Sequence, residues 1–202
     1  MKHDQSNIKK AKKYLDKNNC IGIPTETVYG LAGNAYSKKA IEQIYSLKKR
    51  PKINPLIVHY YDLQNLSDDV EINNTFLKLY KKLCPGPITF VMKKKKLSKI
   101  CSVATANLNT VAIRFPSNPK IRKILSKLNF PLAMPSANKS NNVSPVFAKD
   151  VFDEFQNKIK LIIDGRKSKV GIESTVVDLT REPKILRPGV IDKKLIERVL
   201  KL

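Results

Sequence analysis

Hydroxyl, amide and basic side chains recur in this sequence at points where predicted strands and helices end. The first group, residues 24–31, follows a short apolar segment and combines Thr25 and Thr27 with Gly30. Hydroxyl groups can bind a polar ligand, and a glycine lets a ligand approach the backbone closely. The same residues are also typical of a capped turn. The pattern alone therefore allows both interpretations.

A basic loop forms the second group, residues 48–55, between a predicted helix and a predicted strand. It contains Lys48, Arg50 and Asn54, and two prolines restrict its backbone. An arginine held in this way can bind a phosphate or a carboxylate through two hydrogen bonds. Cations at a helix C-terminus are also explained by the helix dipole.

A histidine and an arginine follow in apolar strand contexts. His59 ends the next predicted strand, and a single histidine is more often structural than catalytic. Arg114 lies in a strand with apolar neighbours, where an arginine is rarely left without a partner. The partner of Arg114 is either a protein carboxylate or the carboxylate of a ligand.

Two further polar groups, residues 135–138 and 171–175, contain Ser136, Asn138 and Ser174, and Arg187 follows the next strand. No Ser-His-Asp pattern, paired carboxylates, phosphate-binding glycine loop or zinc motif accompanies them. The charged groups at the strand ends are mainly basic. This pattern indicates a site that binds a multiply anionic substrate and stabilises charge on phosphorus.

Short helical and strand patterns alternate along the chain and would hold these groups in place. Helices are predicted around residues 8–17, 38–48, 76–84, 119–128, 145–155 and 193–202, and Ser37, Asn118, Ser144 and Asp192 are the predicted N-caps. Strands are predicted at 20–23, 56–58, 88–92, 111–113, 131–134, 161–163, 175–177 and 185–186. The alternation favours a mixed β-sheet with packed helices over a strict βαβ repeat.

Composition limits the class of protein. The 202 residues carry a formal charge of +22, and 39 residues are Lys or Arg against 17 Asp or Glu. Such a charge suits nucleic acid or phosphate partners, although an AT-rich genome also favours lysine. Three separated cysteines give no zinc or disulfide framework, and no apolar run is long enough to span a membrane. We therefore expect a single cytoplasmic domain, residues 1–202.

Seven motifs in this order resemble the YrdC-like family of threonylcarbamoyl-AMP synthases, and the resemblance runs from about residue 21 to residue 191. The motifs are PTETVYGL at 24–31, KxRPxxNPL at 48–56, PGPxT at 85–89, TVAxR at 110–114, SAN at 136–138, ESTVVD at 173–178 and RPG at 187–189.

The resemblance implies an α/β fold, a twisted mixed β-sheet with flanking helices around a large basic cleft. It implies ATP, L-threonine and bicarbonate as substrates, with Mg²⁺ accompanying ATP, and threonylcarbamoyl-AMP and pyrophosphate as products. A partner system would transfer the threonylcarbamoyl group to a tRNA adenosine beside the anticodon. Because the chain stops soon after RPG, it resembles the short form of the family, without an extra C-terminal domain.

The resemblance also assigns roles to residues. On the threonine side it implies Thr27, His59, Arg114 and Ser174. On the ATP side it implies Lys48, Arg50, Asn54, Thr110, Ser136, Asn138, Ser144 and Arg187, with Lys48 and Arg50 as the catalytic pair. No protein ligand of the metal can be identified from the sequence.

Some features leave alternatives open. Asn141 replaces a usual glycine after SAN, Val146 replaces a usual threonine, and Arg166 replaces a usual small residue. Asn141 can adopt a left-handed conformation, so we expect the turn to survive. The charge also suits an RNA-binding or ribosome-associated factor of the same fold, or a relative with another carbamoyl or adenylyl substrate.

Overall fold

Helices and strands alternate in a computed structural model that describes residues 2–201. The six α-helices are α1 Lys2–Asp16, α2 Lys38–Lys48, α3 Asn74–Leu83, α4 Pro119–Leu125, α5 Ala148–Phe155 and α6 Lys193–Leu200. The strands are β1 Ile21–Pro24, β2 Tyr29–Asn34, β3 Ile57–His59, β4 Ile88–Lys93, β5 Thr110–Arg114, β6 Leu132–Ala133, β7 Thr175–Asp178 and β8 Lys184–Arg187. No helix among residues 2–201 has the length and apolar character needed to cross a lipid bilayer.

The eight strands form one mixed sheet in the order β1-β2-β6-β3-β5-β4-β7-β8. Strands β3 and β5 pair in parallel, as do β4 and β7, and the remaining neighbours are antiparallel. The predicted mixed sheet with flanking helices is therefore confirmed. Four of the seven neighbouring pairs join strands that are not consecutive in sequence, so distant segments meet side by side.

Two groups of buried apolar side chains hold the helices on the sheet. The larger group includes Ile41 and Ile44 from α2, Phe76 from α3 and Phe90 from β4. The smaller group joins α1 and α4 to β1 and β6, and Leu15 is among its buried members. The buried residues of the helices recur at helical spacing, so the sequence pattern predicts the apolar face of these helices.

Caps define most helix ends as expected. Ser37 accepts a hydrogen bond from the Ala40 amide, Asn118 from Lys120 and Asp192 from Leu195. The prediction for Ser144 is wrong. The carboxylate of Asp150 instead accepts from the amides of residues 146 and 147, so α5 begins at Ala148.

Four further expectations differ from the structure. Strand β2 was not predicted, since its glycines and polar residues lack the period of two that marks a strand. Residues 161–163 form only a single bridge between Ile162 and Gly22. Helix α4 ends at Leu125 rather than 128. The last helix was predicted to reach Leu202, which lies outside the described residues, and α6 ends at Leu200.

Candidate functional site

The sheet register places polar residues from separate strands in one row. His59 lies beside Arg114, and Arg114 lies beside Thr89 on its other side. Directly paired residues project to the same face of a sheet, so these side chains share a face. The Thr89 and Ser174 hydroxyls are 2.8 Å apart, which brings the segment before β7 into the same group.

A small cavity of about 100 Å³ opens over this row. Four residues that the sequence places on the threonine side all line it, namely Thr27, His59, Arg114 and Ser174. Further polar residues of the wall are Thr25, Arg50, Ser136, Glu173 and Arg187. The volume suits a molecule about the size of a small amino acid.

Arg114 has a protein carboxylate as its partner. Its Nη2 donates to Glu26 Oε1 at 2.7 Å and to Thr27 Oγ1 at 3.0 Å. The other oxygen of Glu26 accepts from the amides of Ser117 and Asn118. Arg114 Nε is buried and has no hydrogen-bond partner in the structure. The guanidinium is thus held on one side and keeps a donor for a ligand.

His59 is buried and uncharged. Burial, with a smaller contribution from the charge of Arg114, lowers the pKa of His59 to about 3. Its Nδ1 is buried without a hydrogen-bond partner. His59 therefore offers a neutral imidazole nitrogen at the wall of the small cavity.

Arg187 connects β8 to the segment before β7. Its Nε and Nη2 donate to the Ser174 carbonyl at 3.1 and 2.9 Å, and its Nη1 contacts the Glu173 carboxylate. A Cβ on Gly189 would lie 2.5 Å from the Thr175 nitrogen. Only glycine lets the chain after Arg187 lie this close, which explains the RPG motif.

A larger cavity of about 530 Å³ adjoins the first, and Arg50, Ser136 and Glu173 line both. Lys48, Asn54, Asn138 and Ser144, for which the family resemblance implies ATP binding, also line the larger cavity. The residues lining the two cavities do not include Thr110. Thr110 begins β5, four residues from Arg114, and pairs with Lys93.

The ammonium group of Lys48 is already engaged. The residue is 1% exposed, and its Nζ donates to the Ser136 carbonyl at 2.6 Å and to the Asn138 carbonyl. Burial lowers the pKa of Lys48 to about 8. Ser140 also donates its amide to the Lys48 carbonyl at 2.8 Å. Lys48 thus fixes the 136–140 backbone to the end of α2.

Arg50 folds back on its own loop. Its Nε donates to the Asn54 carbonyl and its Nη2 to the Pro55 carbonyl, both at 3.1 Å. The loop is thereby rigid, as its prolines predict, and Arg50 lies where the two cavities meet. Asn141 has a φ of 73°, so the left-handed turn expected after SAN is confirmed.

Among the side chains of residues 6–201, four buried polar atoms have no hydrogen-bond partner, and all belong to residues that line these cavities. They are His59 Nδ1, Arg114 Nε, Asn138 Oδ1 and Ser140 Oγ. Proteins rarely leave buried polar atoms unpaired, because the loss of hydration is costly. Their concentration here indicates a site shaped for a polar ligand.

Comparison with known proteins matches residues 13–189 to the Sua5/YciO/YrdC family, whose description is "Telomere recombination". The chain belongs to this family. It is 39% identical over 195 residues to the threonylcarbamoyl-AMP synthase of Pyrococcus abyssi, which covers 96% of this chain and 57% of that protein. The chain spans about half the length of this protein and of the threonylcarbamoyl-AMP synthases of Bacillus subtilis and Schizosaccharomyces pombe, to which it is also similar.

Solved structures of the Sua5/YciO/YrdC family share the fold. P. abyssi Sua5 complexed with L-threonine superposes with a TM-score of 0.92 at 39% identity, over 96% of this chain and 57% of that one. Escherichia coli YciO superposes with a TM-score of 0.84 at 27% identity, over 95% and 93% of the two chains. The α/β fold implied by the sequence resemblance is confirmed.

Two site residues received no role from the sequence. Glu26 and Glu173 lie within family motifs, but a carboxylate in a motif can simply hold a loop. The sequence context of Arg114 indicated that this arginine has a carboxylate partner. Only the fold identifies Glu26 as that partner. Met134 also lines the small cavity, and its apolar character gave no signal.

Proposed function

We propose that this protein is an L-threonylcarbamoyladenylate synthase, a nucleotidyltransferase acting on ATP, L-threonine and bicarbonate. Its products would be threonylcarbamoyl-AMP and pyrophosphate. The proposal is supported by the family membership and by the relatives of that name. One observation carries it. A small and a larger cavity adjoin, and Arg50 and Ser136 line both.

The two cavities suit two substrates of unequal size. The small cavity would take L-threonine, with Arg114 Nε facing its carboxylate and His59 and Thr27 beside it. The larger cavity would take ATP against the basic loop. The α-phosphate would then lie at the junction, within reach of Arg50 and of the carbamate formed in the small cavity.

The chemistry needs no protein nucleophile. The neutral amine of threonine attacks the carbon of bicarbonate, water leaves, and a carbamate forms. A carbamate oxygen then attacks the α-phosphorus, and the bond to the bridging oxygen of pyrophosphate breaks. Arg114 and Arg187 favour the neutral amine, since a nearby positive charge lowers the pKa of an ammonium group. Arg50 would stabilise the charge that develops on phosphorus.

ATP would bring Mg²⁺ with it. The described residues contain no group of three His, Cys, Asp or Glu side chains that could hold a metal. Magnesium usually keeps several waters and uses one or two carboxylates together with substrate phosphates. Glu173 is a carboxylate on the walls of both cavities, so the residues present fit a metal that arrives with the nucleotide. Bound Mg²⁺ would neutralise charge on the triphosphate.

The adenylate would supply a threonylcarbamoyl-transfer system that modifies a tRNA adenosine beside the anticodon. The protein would then act in the cytoplasm, where the tRNA is. Direct RNA binding by the basic surface is the rival function, and it predicts affinity that falls steeply with salt.

The test is pyrophosphate release from Mg·ATP with each co-substrate omitted in turn. We expect release only when L-threonine and bicarbonate are both present, and a product with the mass of threonylcarbamoyl-AMP. Folded protein that releases no pyrophosphate contradicts the proposal, and salt-sensitive RNA binding in that sample would support the rival function.

A further inference from the structure

One carboxylate lies on the walls of an otherwise basic site. Glu173 lines both cavities, while the other charged residues of the two walls are Lys48, Lys49, Arg50, Arg114 and Arg187. A site that only bound anions would gain nothing from a carboxylate at this junction, because like charges repel. The position of Glu173 therefore needs a reason.

The contacts of Glu173 do not bury its charge. One oxygen contacts Arg187 Nη1, and the other accepts from the Ser144 hydroxyl at 3.2 Å. The side chain remains 38% exposed. Arg187 is anchored independently, because three further hydrogen bonds join it to Ser174. Glu173 is not required merely to keep Arg187 in place.

Another residue on the wall of the larger cavity has a side-chain oxygen without a partner. Asn138 is 6% exposed, and its Oδ1 is buried without a hydrogen bond, although its Nδ2 donates to the Lys139 and Asn142 carbonyls. Amide and carboxylate oxygens are the ligands that hard divalent cations prefer. Two such groups cannot hold a cation without the phosphates of a ligand.

We propose that Glu173, together with Asn138 on the wall of the same cavity, faces the divalent cation that the triphosphate carries. This rests on the proposed function, since it takes the nucleotide to lie in the larger cavity. A carboxylate there repels metal-free ATP and attracts the cation of the metal–ATP complex. Glu173 thus makes the site selective for the complex over the free nucleotide.

The experiment is calorimetric titration with ATP in the absence of L-threonine and bicarbonate, so that no turnover occurs. Wild type, Glu173→Gln and Glu42→Gln are each titrated with ATP plus excess Mg²⁺ and with ATP plus excess EDTA. Glu42 is exposed on α2 and lines neither cavity, so its variant has the same charge change elsewhere. A Coulomb interaction of ~1 kcal/mol corresponds to a change of about fivefold.

We expect the Glu173→Gln substitution to weaken Mg·ATP binding about fivefold and to strengthen binding of metal-free ATP about threefold, scaled from the same Coulomb estimate. The Glu42→Gln variant should leave both affinities unchanged. If Glu173→Gln weakens both forms equally, Glu173 only supports the fold of the site and the proposal is wrong. If wild type binds ATP in neither form, the proposed function fails as well.

A spectroscopic measurement covers the case in which the variant does not fold. Wild type labelled with carbon-13 at the glutamate carboxyls is loaded with Mn²⁺ and ATP. A carbon-13 coupling in the electron–nuclear double resonance spectrum supports the proposal, and a spectrum without it overturns the proposal.

Discussion

Two clusters of buried polar side chains in this molecule differ in how far their hydrogen bonds are satisfied. In the first, the carboxylate of Asp69 is fully buried, and four donors saturate it. They are the hydroxyls of Tyr36 at 2.7 Å, Tyr60 at 2.9 Å and Ser98 at 2.7 Å, and the Lys99 amide at 3.0 Å. In the second, around the two cavities, four buried polar atoms have no partner.

The contrast separates polar groups that hold the fold from polar groups that await a ligand. A saturated buried carboxylate has no capacity left for another molecule, so the Asp69 cluster is structural. The unpaired atoms around the cavities retain their full hydrogen-bonding capacity at a cost in stability. Burial alone does not distinguish the two clusters, whereas hydrogen-bond satisfaction does.

The largest effect on stability is expected from Asp69→Ala. The substitution leaves four donors without their acceptor, and we expect a loss of about 3 kcal/mol or more in the free energy of unfolding. The affinity of the folded fraction for ATP and L-threonine should not change. Urea unfolding and calorimetry measure the two quantities. Asp68→Ala, at the exposed neighbouring position, is the control. An equal loss of unfolding free energy in both variants would show that the Asp69 cluster does not hold the fold.

A pH-dependent effect is expected at His59. Its pKa of about 3 lies below the ordinary value of about 6.5, so on acidification the unfolded chain binds a proton that the folded protein does not. Stability contributed by neutral His59 is therefore lost as pH falls below 6.5, by about 2 kcal/mol at pH 5. In the variant His59→Gln, the part of the fall in unfolding free energy that comes from His59 should be absent. If the free energies of unfolding of wild type and variant differ by the same amount at pH 7 and at pH 5, the predicted role of His59 in the pH dependence is wrong.

Arg50→Ala should separate function from stability. We expect pyrophosphate release to fall at least tenfold, about 1.4 kcal/mol, because a charge-assisted contact to phosphate is lost. The unfolding free energy should change by less than about 1 kcal/mol, since Arg50 bonds only to its own loop. Lys52→Ala, at an exposed position in the same loop, should retain activity. Near-normal turnover in folded Arg50→Ala would exclude the assigned role.

The smallest expected effect is the change in ATP affinity when Lys48 loses its charge. Its pKa is lowered to about 8, so raising the pH from 7 to 9 removes most of the positive charge behind the Ser136–Asn138 backbone. We expect wild type to lose about fivefold in ATP affinity over this range, consistent with ~1 kcal/mol of Coulomb energy.

Lys48→Met should bind ATP more weakly than wild type at pH 7 and should show a flatter pH dependence. Titrations of both proteins at pH 7, 8 and 9 give the comparison. Parallel profiles for wild type and variant would show that the Lys48 charge does not reach the nucleotide.

The sequence by itself predicted most of the local elements and many of the residues that line the two cavities. Apolar spacing marked the helical faces, and short polar residues marked the caps at Ser37, Asn118 and Asp192, because both signals are local. Every predicted site residue except Thr110 lines one or both of the two cavities. Strand β2 was not predicted, because its pairing with β1 and β6, rather than its own sequence pattern, makes it a strand.

Only the tertiary structure decided which polar groups pair with one another. The partner of Arg114 is Glu26, 88 positions away, and Lys48 bonds to carbonyls 88 and 90 positions away. Such pairings depend on strand order and register, which juxtapose segments remote in sequence. For the same reason, the difference between saturated Asp69 and the unpaired atoms of the cavities could not be read from residue types.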